Sequence, residues 1–91
     1  MQIRNVSFDE LPEFVRQGIE TQYKKPLFIK ATVFEFSFAP ALYEVCVLDL
    51  DRNVIAEVTF EEGAGVRHES TVMLGTVLEA LKKYPERFGL E

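Results

Sequence analysis

Residues 42–61 read as two strands joined by a tight turn, and this hairpin limits what the rest of the chain can be. The runs Leu42-Tyr-Glu-Val-Cys-Val-Leu-Asp-Leu50 and Val54-Ile-Ala-Glu-Val-Thr-Phe-Glu61 are rich in β-branched and aromatic residues and flank the polar tripeptide Asp51-Arg52-Asn53. The sequence on either side reads as material that covers one side of this ribbon.

Turn chemistry assigns the faces. A two-residue loop at Arg52-Asn53 needs positive φ at both positions, which Arg resists; a three-residue loop needs it only at the last, where Asn53 tolerates it. With residues 51–53 as the loop, Leu50 faces Val54, Leu48 faces Ala56, Cys46 faces Val58 and Glu44 faces Phe60, and these pairs form the inward face. The outward face then carries Tyr43, Val45, Val47 and Asp49 against Ile55, Glu57, Thr59 and Glu61. A slip of one residue would exchange these sets.

Before the hairpin, residues 1–6 hold Ile3 and Val6 and suit a short edge strand. Ser7-Phe-Asp-Glu10 has the spacing of a capping box. A helix start near Asp9 or Glu10 places Pro12 harmlessly in the first turn. From there Leu11, Phe14, Val15, Gly18, Ile19 and Tyr23 recur on one helix face, until Lys24, Lys25 and Pro26 end it. Residues 27–38 form a third strand with neither face cleanly polar. Either a bulge turns Ile29, Ala31 and Val33 inward first and Phe36 and Phe38 afterwards, or both faces are covered.

Beyond the hairpin, Gly63-Ala-Gly65 reads as a flexible link, and Ser70 or Thr71 as the N-cap of a last helix. Leu74, Val77, Leu78, Leu81 and Tyr84 make its apolar stripe, and Pro85 begins a turn that returns Phe88 to the core. The expected core joins Phe14, Ile19, Leu48, Val58, Phe60, Leu78 and Leu81. The fold class is α+β: residues 1–91 form one domain, a two-layer sandwich in which helices pack on one face of an antiparallel three-stranded meander. The order helix, three strands, helix is similar to that of the double-stranded-RNA-binding domain. That resemblance implies a lysine-rich loop before the last helix, gripping phosphates. Here the stretch Glu61-Glu-Gly-Ala-Gly-Val-Arg-His-Glu-Ser70 carries one arginine against three glutamates, and the net charge is −5, so nucleic acid is not the expected partner.

Chemistry-bearing residues are sparse. One cysteine, Cys46, excludes a disulfide framework and reads as an inert core thiol. Gly63-Ala-Gly65 is a weak anion-cradle signal opposed by Glu61, Glu62 and Glu69. His68-Glu69-Ser70 has hydrolytic residue types, but three consecutive residues point in different directions. The strand carboxylates Glu35, Glu44, Asp49, Glu57 and Glu61 suit a solvated face better than a catalytic pair. No catalytic, cofactor-binding or metal residue is therefore expected, and no cofactor. No signal peptide or apolar run of membrane length is read, so the location is taken as cytoplasmic, away from membranes. The final Leu90-Glu91 resembles a tag junction.

The outward apolar residues remain. Tyr43, Val45, Val47 and Ile55 are expected to form a protein–protein contact, most simply a two-fold homodimer. The alternative is a small-ligand, anion-binding or catalytic domain with its site at the Gly63–Ser70 loop.

Overall fold

Five antiparallel strands pair in strict sequence order, β1 (Gln2–Val6), β2 (Pro26–Glu35), β3 (Leu42–Asp49), β4 (Val54–Glu61) and β5 (Gly65–Met73). Helix α1 (Glu13–Gln22) lies between β1 and β2, helix α2 (Leu74–Lys83) follows β5, and 3₁₀ turns span Phe8–Glu10 and Pro85–Phe88. This is a computed structural model that describes residues 1–88, the side chains of Arg67, Arg87 and Phe88 aside. The α+β sandwich is present, with five strands rather than three. The leading strand exists, and the element order becomes β-α-β-β-β-β-α, which departs from the order of the double-stranded-RNA-binding domain. The expected return of the Phe88 side chain to the core, and the Leu90-Glu91 pair, lie outside the described residues.

Helix α1 supplies the second layer. The capping box closes the 3₁₀ turn, where the Ser7 N–H donates to Glu10 Oε1 at 2.9 Å. Pro12 sits at the N-cap of α1, so its missing N–H costs no helical bond. Leu11, Val15, Ile19 and Tyr23 come down on Ala31, Val45, Val47, Ala56, Val58 and Phe60, all almost wholly buried. Gly18 lets the Phe60 ring approach, since a Cβ there would meet its Cε1 at 2.5 Å. Of the expected core, Ile19, Val58 and Phe60 belong to it. Phe14 lies at its border, edge-on to Tyr43 with ring centroids 5.8 Å apart.

The central hairpin has a four-residue loop. Asp49 pairs with Val54, leaving residues 50–53 between the strands. Asn53 takes the left-handed conformation (φ 55°). Asp49 Oδ1 accepts the Asp51 N–H at 3.1 Å, an Asx-type closure one residue earlier than a three-residue loop would place it. That one residue exchanges the faces of β3. Val45 and Val47, read as outward, are wholly buried under α1, and Tyr43 shares their face. Cys46 faces Glu57 and Leu48 faces Ile55, both on the opposite side.

Strand β2 carries a bulge earlier than the expected switch between Val33 and Phe36: Ile29, read as inward, is the extra residue between the Phe28–Val47 and Lys30–Cys46 pairs and is 48% exposed. Phe28 points inward before it, Ala31 and Val33 after it. Phe36 and Phe38 fall past the end of the strand, and Phe38 is exposed.

The stretch read as link and helix cap is a hairpin and strand. Gly63 (φ 85°) and Gly65 (φ 79°) turn the chain back, with the Ala64 N–H donating to the Glu61 carbonyl at 3.0 Å. Alternation then continues to Met73, so Ser70 and Thr71 are strand residues and α2 begins at Leu74. No side chain of α2 is buried; the helix meets the end of β5 and the final turn.

Candidate interaction surface

With α1 on one face, the opposite face of the sheet is read directly from the pairing. Leu27 stands opposite Leu48, Leu48 opposite Ile55, and Ile55 opposite Val72, an unbroken apolar row across β2, β3, β4 and β5. Leu27 and Val72 are 51% and 46% exposed, and Leu48 and Ile55 are half-buried. At the other end of the same face Ile3, Phe34 and Leu42 make a shorter row. Between them runs a polar band, Lys30, Cys46, Glu57 and Ser70 in one rung and Asn5, Thr32, Glu44, Thr59 and His68 in the next. Thr32 Oγ1 donates to Asn5 Oδ1 at 3.2 Å within it. Cys46 is shielded there, and burial, then the Glu57 carboxylate, pushes its thiol above the ordinary value while Lys30 opposes them.

Of the four residues expected to form the contact, only Ile55 is on this face. Tyr43, Val45 and Val47 belong to the core side. Leu27, Leu48 and Val72 complete the row that the sequence reading missed. The signal for it lies in Asp49: its side chain caps the N–H two residues on, which marks Leu50 as a loop residue and fixes the register.

The inner face carries a polar cluster at the hairpin end. Tyr23 donates its hydroxyl to Glu69 Oε2, which also accepts from Gln22 Nε2 at 3.0 Å and Arg52 Nη2 at 3.3 Å. Arg52 Nε donates to Asp49 Oδ2 at 2.7 Å, and its guanidinium lies 5.6 Å from the Tyr23 ring centroid. The Tyr23 hydroxyl, then Arg52, holds the Glu69 carboxyl below its ordinary range, and Arg52 does the same for Asp49, which is 3% exposed. Burial, then Glu69, raises Tyr23. Donors from the end of α1 and from the hairpin loop meet on Glu69 Oε2, so the cluster clamps α1, the hairpin loop and β5 together.

A cleft of ≈ 400 Å³ opens between α1 and β2, lined by Phe8, Ile19, Glu20, Pro26, Phe28 and Val47. Its walls are apolar with one carboxylate. The Gly63–Ser70 segment is a turn and the first part of β5, and His68 is exposed on the outer face opposite Thr59. Among the described residues no group of three or more His, Cys, Asp or Glu could hold a metal ion, and no helix is long and apolar enough to cross a membrane. In comparisons with protein families, curated proteins and solved structures, nothing matches the chain.

Proposed function

We propose that this chain is a small protein–protein interaction module that self-associates through the outer face of its sheet. The supporting observation is the row Leu27, Leu48, Ile55 and Val72, which crosses four strands on the face away from α1. Antiparallel sheets tolerate scattered apolar residues on a wet face, but a continuous row has a larger cost, near 25 cal/mol for each Å² left in water. The polar band borders the row along one side, where it supplies the polar margin that contact surfaces carry.

Leu48→Lys tests the reading. The side chain points away from α1, so the circular dichroism spectrum should be retained while light scattering shows the mass falling to one chain. An unchanged mass would remove the interface.

The cleft favours a second reading, an apolar amine whose charge meets Glu20. A thermal shift with alkylamines that disappears in Glu20→Gln would support it, and no shift would discard it.

A further inference from the structure

Helix α2 carries an apolar stripe that the described residues cover only in part. Leu74, Val77, Leu78 and Leu81 recur at the spacing of one helix face, yet none is buried and Leu78 is 55% exposed. In α1, by contrast, Val15 and Ile19 are almost wholly buried, as are Leu11 and Tyr23 that flank it. The junction explains why. Strand β5 ends at Met73 and α2 begins at Leu74 with no residue between them. Turning a helix back across the sheet it leaves ordinarily takes two or more connecting residues.

The dimensions agree. The radius of gyration is 14.4 Å, against about 12 Å for a compact domain of this length, and the extents are 42 × 29 × 21 Å. The chain exposes 6393 Å² of surface, where a compact monomer of its mass exposes about 5,400 Å². The excess, on the order of 1,000 Å², is close to what one partner contributes to a stable interface.

We infer that α2 docks on the outer face of a second copy of this chain, laying Leu74, Val77, Leu78 and Leu81 over that copy's Leu27, Leu48, Ile55 and Val72. The second copy's α2 returns the same contact, which closes a two-fold dimer. This rests on the self-association proposed above and names the element that makes it. Charge fits the arrangement as well. Lys82 and Lys83 end α2, and Glu44 and Glu57 stand in the polar band next to the row, with Lys30 the one cation in that band. Lysines at a helix C-terminus also suit its own dipole, so the helix end is a stable carrier of that charge.

The unmodified chain can report the contact. Equal amounts of ¹⁴N- and ¹⁵N-labelled protein are unfolded together, refolded, and treated with a carbodiimide, which joins touching lysines and carboxylates. Mass spectrometry should find mixed-isotope crosslinks from Lys82 or Lys83 to Glu44 or Glu57. Same-isotope links only, or no such links, would overturn the inference. Leu78→Lys gives an independent readout: the folded spectrum should persist and the mass should halve. If Leu48→Lys is monomeric while Leu78→Lys keeps the double mass, the outer face associates without α2, and only the inference falls. If both variants keep the parent mass, the self-association reading falls with it.

Discussion

Leu48 stands directly opposite Ile55 across the central hairpin, on the face of the sheet that α1 does not cover. One rung earlier, Val47 stands opposite Ala56, and both are wholly buried beneath α1. Adjacent rungs of the same two strands therefore have opposite roles. Val45 lies on the same inner face, equally buried and outside the cleft. Val45→Lys would bury an unpaired charge, at a cost of several kcal/mol, and is expected to unfold the chain. Leu48→Lys is expected to leave the fold intact. Circular dichroism on Val45→Lys and Leu48→Lys separates the faces: a folded Val45→Lys variant would contradict the register.

Two glycines give a second contrast. Gly18→Ala drives a methyl into the Phe60 ring and should lower stability by about 1–3 kcal/mol, the usual cost of overpacking. Gly75 has nothing within 4 Å of its would-be Cβ, so Gly75→Ala should raise stability by up to about 1 kcal/mol through helix propensity. Thermal melts of the two variants should shift in opposite directions.

Phe60 lies against α1 in the middle of the buried layer. Phe60→Ala is expected to cost about 3–5 kcal/mol, much of the stability of a domain this small. A variant melting within a degree or two of the parent would place the core elsewhere.

The clamp at Glu69 gives stability a pH signature. Tyr23, Arg52 and Gln22 all donate to Glu69 Oε2, and its folded carboxyl titrates below its ordinary value of 4.5. Asp49, held mainly by Arg52, titrates below its ordinary 3.8. The unfolded chain therefore binds these protons first as pH falls. The stabilisation is complete above those ordinary values and is lost as pH drops through the lower, folded ones. Glu69→Gln should reduce the melting temperature at neutral pH and flatten its decline below about pH 5. An acid limb identical to the parent's would exclude Glu69 from the clamp.

The legible parts of the sequence were those in which local signals agreed. The stripe Leu11, Val15, Ile19 and Tyr23, the capping box at Ser7 and the left-handed Asn53 each follow from spacing or backbone preference. The register of β3 did not, because its residues are apolar on both faces and periodicity cannot decide between them. Only the Asx closure at Asp49 does, and it counts for one residue of loop length. Strand β5 was hidden because Gly63 and Gly65 suit a flexible link and a tight hairpin equally, and its His68-Glu69-Ser70 is polar. Helix α2 has a real apolar stripe, which by itself says that cover is needed but not which chain supplies it.

The mass of the unmodified chain in solution, measured by light scattering over a dilution series, tests the central claim most directly. One chain is 10.4 kDa. A self-associating outer face predicts twice that mass at high concentration, falling towards a single chain on dilution or on Leu48→Lys. A single-chain mass at every concentration would contradict it.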